Sequence, residues 1–152
     1  MIRYDTVIKY YKTLRRYIRG GVKMKLGAIG FFVENLDVMV KFYRDVMNMK
    51  QNVDMDGFAG FVTEDGFYFN LCTRGERENL SSIPISYPEG LNGTMQLSFG
   101  VPKYEDVDTE YERLIKAGAE AVSKPHTKPY GLREAYVADP EGNLIEVVSS
   151  NG

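Results

Sequence analysis

The chain has no tryptophan, one cysteine and one histidine among its 152 residues. With Cys72 alone, an internal disulfide is impossible and a cysteine-rich metal knuckle is excluded. With His126 alone, no site that needs two histidines from one chain can form. That removes the zinc-protease motif, the two-histidine-one-carboxylate iron site and carbonic-anhydrase-type zinc. No apolar run reaches membrane-spanning length and no secretory-leader pattern opens the chain, so no membrane contact is expected and a cytoplasmic location is the default. Charge of neither sign dominates: 19 basic and 21 acidic residues leave a net of −2, which offers nothing overall to nucleic acid. The 43% of hydrophobic residues are ordinary for a globular chain, enough for one real core or two small modules sharing one.

What is present is unevenly distributed. Residues 1–23 carry seven basic groups against Asp5, a net of +6, and the other 129 residues carry 12 basic and 20 acidic groups, a net of −8. In the basic segment Tyr4, Val7, Ile8, Tyr11, Leu14 and Ile18 recur at three- and four-residue steps, which predicts an amphipathic helix stopped at Gly20-Gly21. Docking on the acidic body or on a partner subunit is the favoured reading over a membrane-surface or nucleic-acid role. Met24 also fits as a start, which would make the segment an upstream extension.

From there the pattern is strand, helix and three strands, twice. An apolar strand over 24–33 leads to Asn35 as N-cap, and Val38, Val40, Phe42, Tyr43, Val46 and Met47 give helical spacing to about Met49. Asn48 stands where a left-handed cap is wanted. Strands follow at 51–55, 58–63 and 67–73, joined by Asp56-Gly57 and Asp65-Gly66 turns. Residues 74–93 form a polar linker or functional loop rich in turn formers. The order then returns: a strand over 95–101, a helix over 104–117 with Gly118 after it, a strand over 119–123, a loop over 124–131, and a closing hairpin of Leu132–Val137 and Leu144–Val148. GFFVENLDVMVKFYRDVM aligns with SFGVPKYEDVDTEYERLI, which indicates duplication of a unit of roughly seventy residues.

The hairpin carries the most telling residue. Asp139, Pro140, Gly142 and Asn143 form a dense turn, and Glu146 places one carboxylate inside the apolar run that follows. A carboxylate there is solvated on a half-exposed strand, paired, or bound to something.

DPEGNLIEV and the doubled strand-helix-three-strand unit resemble the vicinal-oxygen-chelate superfamily, which holds glyoxalase I, bleomycin- and fosfomycin-resistance proteins and extradiol dioxygenases. The resemblance covers residues 24–150. It implies an α+β fold in which two βαβββ modules, 24–73 and 94–150 with linker 74–93, curl their mixed sheets into a cup, with the helix of 1–23 as an addition to the domain of 24–152. By the same resemblance the metal-ligand positions of the two first and two last strands fall on Ala28, Asn70, Gln96 and Glu146. Only Glu146 matches the usual ligand well. One carboxylate and two amides make a poor zinc or nickel site, so no divalent metal or other cofactor is expected; if a metal is bound, Gln96, Glu146 and Asn70 are its candidates. Extradiol dioxygenase chemistry is excluded by the missing histidines, and fosfomycin thiol transfer is disfavoured.

The expected ligand site is then a cup lined by Phe32, Tyr68, Asn70, Gln96, Ser98 and Glu146, with Tyr130 and Tyr136 at the rim and Arg133 available to an anionic group. Aromatic walls with amides and one carboxylate suit a small planar or cationic molecule. For any single aromatic, plain core packing competes, and Arg133 fits an exposed ion pair equally well. His126 reads as a surface-loop histidine before a general base, and Cys72 as a small buried hydrophobe. The primary expectation is a homodimeric binder of a small organic molecule, as in the bleomycin-resistance branch. The alternatives are a lactoylglutathione-lyase- or isomerase-type enzyme with a degenerate metal site and Glu146 as catalytic group, and a non-catalytic interaction module using the N-terminal helix.

Overall fold

A computed structural model describes residues 26–75 and 83–152. The helix expected over 1–23 lies outside the described residues, as does the middle of the linker.

The first sheet is built from β1 (Ala28–Val33), β2 (Lys50–Met55), β3 (Phe58–Val62) and β4 (Tyr68–Thr73). Their order is β1-β4-β3-β2, with β1 parallel to β4 and the remaining pairs antiparallel. Alternation sorts the side chains: Phe31, Val33, Phe69 and Leu71 are buried, while Phe32, Tyr68, Asn70 and Cys72 share the other face through the pairs Ala28↔Tyr68, Gly30↔Asn70 and Phe32↔Cys72. Phe69 stacks edge-on against Phe31 with ring centroids 5.1 Å apart. Gly57 adopts φ 71 in the β2–β3 turn, the conformation that its Asp-Gly dipeptide favours.

The second sheet repeats the plan. Its strands are β5 (Asn92–Gly100), β6 (Glu120–Thr127), β7 (Arg133–Ala138) and β8 (Asn143–Ser149), in the order β5-β8-β7-β6 with β5 parallel to β8. The registers correspond: Gly30↔Asn70 in the first sheet matches Ser98↔Glu146 in the second. The two βαβββ modules are therefore related position by position, as the internal alignment implied.

Two helices complete the modules. The first, α1 (Leu36–Lys41), runs on into a π-helical turn, Phe42–Val46, closed by the Met47 N–H on the Phe42 carbonyl at 3.0 Å. Asn48 follows with φ 55, the left-handed cap foreseen for it. The second, α2 (Tyr104–Lys116), starts with the Lys103 N–H donating to the Asp106 carboxylate at 3.0 Å and lies against β7 and β8. Its Val107, Tyr111 and Leu114 are buried, as are Ala135, Val137, Ile145 and Val147 of those strands. Burying each aliphatic chain of this size contributes about 1.5–3 kcal/mol.

The chain divides into two compact units, and their boundary does not follow the modules. Residues 37–48, the body of α1 and its cap, group with 83–152. The Tyr43 hydroxyl donates to Asp139 Oδ2 at 2.7 Å in a buried contact, and Arg113 Nη1 donates to the Val46 carbonyl at 2.8 Å. Burial and the adjacent Asp139 charge push the Tyr43 hydroxyl well above the ordinary tyrosine range.

Two strands differ from the sequence reading: β5 starts at Asn92, inside the expected linker, and β6 reaches further than expected. β6 runs to Thr127, so His126 sits on a strand opposite Glu134 and not in a loop. Pro125 had argued for a loop, but β6 is the edge of its sheet, where a missing backbone donor costs no ladder bond. Irregular register between Ala121 and Ser123, and again before His126, accommodates it.

Candidate functional site

The second sheet has two unlike faces. On one, Arg133, Ala135, Val137, Ile145 and Val147 meet α2. On the other, β5 contributes Gln96 and Ser98, β8 contributes Glu146, and β7 contributes Tyr136 and Glu134, brought level by the pairs Ser98↔Glu146, Tyr136↔Glu146 and Glu134↔Val148.

Glu146 is the centre of that face. It is only 8% exposed, yet its carboxylate is well provided for. Gln96 Nε2 donates to Oε2 at 3.0 Å, the Ser98 hydroxyl donates to the same oxygen, and the Tyr136 hydroxyl donates to Oε1 at 2.8 Å. All three donors are neutral, so the carboxylate is solvated by the protein without being matched by a cation. Tyr136 responds in turn: burial, then the hydrogen bond and charge of Glu146, then the charge of Glu134 push its hydroxyl up to about 12. It stays a phenol, and a donor, throughout the physiological range.

A second carboxylate lies beside the first. Glu134 is 5% exposed, and its Oε1 is reached by Lys128 Nζ at 3.0 Å and His126 Nε2 at 3.4 Å. The bond to Glu134 raises the Lys128 pKa above the usual lysine value. His126 Nδ1 lies 3.1 Å from the Lys124 carbonyl. Sequence reading passed over Glu134 and Lys128. The signal was available: period-two alternation places Glu134 on the face of Tyr136.

The other expected site residues are distributed as follows. Phe32, Tyr68 and Asn70 share one face of the first sheet, with Asn70 at the repeat counterpart of Glu146 and Ala28 at that of Gln96. Tyr130 is 71% exposed in the β6–β7 connection. Arg133 is turned away from Glu146, toward α2, where Nε and Nη2 hold the Asp108 carboxylate at 2.6 and 2.5 Å and Nη1 reaches the Thr127 hydroxyl. The guanidinium holds the Asp108 carboxyl below its usual range.

The donor chemistry bears on metals. Around Glu146 the neighbouring groups are an amide N–H and two hydroxyls, all giving protons to the carboxylate, whereas a divalent cation needs converging lone pairs. Among the described residues no three His, Cys, Asp or Glu side chains come together as a metal could require. The residues of this face do not fit the divalent ion that the sequence resemblance brings to mind.

The profile of the Glyoxalase/Bleomycin resistance protein/Dioxygenase superfamily matches residues 25–147. The chain belongs to this superfamily. Solved members share its fold. A glyoxalase/bleomycin resistance protein/dioxygenase from Nocardioides is 21% identical with a TM-score of 0.72, over 92% of this chain and 91% of that one. A family enzyme from Burkholderia phytofirmans PsJN is 23% identical with a TM-score of 0.73, over 82% and 98%. A lactoylglutathione lyase from Agrobacterium tumefaciens is 21% identical with a TM-score of 0.65, over 83% and 93%. No curated protein matches the chain. Likeness at these identities is likeness of fold, and within this superfamily the activity of each member has to be argued from its own site.

Proposed function

We propose that this superfamily member binds a small organic molecule on the Glu146 face and does so without a divalent metal. The observation that carries the reading is the Glu146 carboxylate, nearly buried and held by three neutral donors. Such a group is ready to accept a ligand's N–H or cationic centre without reorganising, because its geometry is already set by Gln96, Ser98 and Tyr136. A lyase of the lactoylglutathione type would need a metal to polarise the substrate, and the proton donors around Glu146 do not offer one a site. Superfamily membership also supports a homodimer, which sedimentation velocity measures directly.

Metal analysis and thermal unfolding of the purified chain test the reading, with Glu146→Gln as control. The expected result is no stoichiometric metal, no Glu146-dependent shift of Tm with Zn²⁺, Ni²⁺ or Mn²⁺, and no turnover of the methylglyoxal–glutathione hemithioacetal. A saturating organic ligand, at a hundred times its Kd, stabilises by about 2.7 kcal/mol and is readily visible as a shift in Tm. Stoichiometric metal whose stabilisation disappears in Glu146→Gln would overturn the proposal in favour of the lyase.

A further inference from the structure

The protons around Glu146 point inward, and their direction decides what the face offers. Gln96 Nε2 gives one to Glu146 Oε2, and the same amide also serves the Tyr136 oxygen. The Ser98 hydroxyl gives its only proton to Oε2, and the Tyr136 hydroxyl gives its only proton to Oε1. Gln96 and Ser98 are the exposed members of the group and alternate onto one face of β5. Reversing the Gln96 amide would set its carbonyl oxygen against the carboxylate, so Oε1 is fixed on the far side of the amide from Glu146. Ser98 Oγ keeps its lone pairs once its proton is spent. Both residues donate to the single oxygen Oε2, which brings their unspent acceptors side by side. Toward solvent the pair thus presents two neutral acceptors.

We infer that Gln96 Oε1 and Ser98 Oγ together select the ligand of the Glu146 face, and that the group they select is an uncharged NH2 of the primary-amide or urea kind. Two N–H bonds diverging from one planar nitrogen serve two neighbouring acceptors, and an amide nitrogen has no basic lone pair to turn against them. An ammonium group fits less well, because two neutral acceptors do not make up for the water that a cation gives up. A group with acceptors alone meets lone pair with lone pair, and a carboxylate or phosphate adds repulsion from Glu146. Among the described residues that charge has no cation at hydrogen-bond distance: Lys128 and His126 are drawn to Glu134, and Arg133 to Asp108. A ligand without N–H bonds leaves both acceptors covered and unpaired, which is how a hydrogen-bonding site rejects a close analogue.

This assignment rests on the Glu146 face being a ligand site, and the test separates the two. The probes are benzamide, N,N-dimethylbenzamide, which keeps the carbonyl but has no N–H, and benzoate. Each is titrated by NMR into the full chain, Gln96→Met and Ser98→Ala, with folding checked by unfolding midpoint. Wild type is expected to bind benzamide about tenfold or more tightly than either other probe, and each variant to lose most of that preference, as for neutral acceptors left unpaired. The added bulk of the methyl groups alone would leave the preference intact in the variants, and that outcome overturns the role of Gln96 and Ser98. Equal affinity of wild type for benzamide and its dimethyl analogue, or benzoate binding as tightly as benzamide, overturns the selection, while resonance shifts at Gln96 and Tyr136 would still place binding on the Glu146 face. Failure of all three probes to bind overturns the assignment as well, and the metal and thermal-shift results then decide the broader reading independently. The benzamide-to-dimethylbenzamide ratio on wild type remains decisive even where a variant does not fold.

Discussion

At the scale of single residues, the chemistry of the Glu146 face is set by which groups carry protons. An unfolded tyrosine ionises near 10 and Tyr136 in the fold near 12, so the folded chain holds this proton more tightly. Below pH 10 both states are protonated and the difference contributes nothing to pH dependence. Between 10 and 12 the unfolded chain releases its proton first, so stability falls as pH rises. Unfolding midpoints measured across that window should therefore decline less steeply in Tyr136→Phe than in wild type. In Glu146→Gln the Tyr136 ionisation should move down, but not to 10, because burial is the largest cause of its elevation; tyrosinate absorbance checks this. Arg133 teaches the opposite lesson. An arginine next to a site strand suggested an anion contact, but strand alternation sends it to the helix side, where Asp108 takes it. That pair is substantially exposed, so Asp108→Asn should cost no more than about 1 kcal/mol in urea unfolding, and less at high salt.

At the scale of elements, the β7–β8 hairpin shows a turn motif acquiring a second duty. Asp139 is 1% exposed. Its Oδ1 accepts the backbone N–H groups of Glu141 and Asn143 at 2.9 and 3.0 Å, and its Oδ2 accepts the Asn143 amide and the Tyr43 hydroxyl. The first pair of bonds was legible in Asp-Pro-Glu-Gly-Asn, because they are local. The bond to Tyr43 was not, since it joins residues 96 apart in the chain. Asp139→Ala should thus destabilise far more than a turn substitution, by about 3 kcal/mol or more, and Tyr43→Phe by about 1–2 kcal/mol, both read from chemical denaturation. Gly142 is equally constrained. It has φ 81, and a Cβ there would run into the Gly90 carbonyl, whose segment is pinned by the Asn92 N–H donating to the Gly142 carbonyl at 2.7 Å. Gly142→Ala should lower stability by more than the 1 kcal/mol or so of the left-handed conformation alone.

At the scale of the whole molecule, the boundary between compact units cuts across the duplicated modules: residues 37–48 belong with 83–152. Native-state hydrogen exchange should consequently show the amides of 37–48 opening together with those of β7 and β8 and apart from β3 and β4, and Asp139→Ala should lower protection in both segments at once. The sequence by itself determined the doubled βαβββ order, the Asp-Gly turns, the left-handed Asn48 and which side chains share a face within each strand; that Gln96, Ser98 and Glu146 meet was implied only by the family resemblance. The first four follow from periods of two and 3.6 residues and from local turn chemistry, which act over a few residues. Only the tertiary structure decided that Glu146 is met by neutral donors alone, that Glu134 lies on the same face and is paired with Lys128, that β6 extends through Pro125, and that α1 is tied to Asp139. Each depends on strands and helices distant in the chain becoming neighbours, and a one-dimensional pattern carries no record of which distant partner a polar side chain will find.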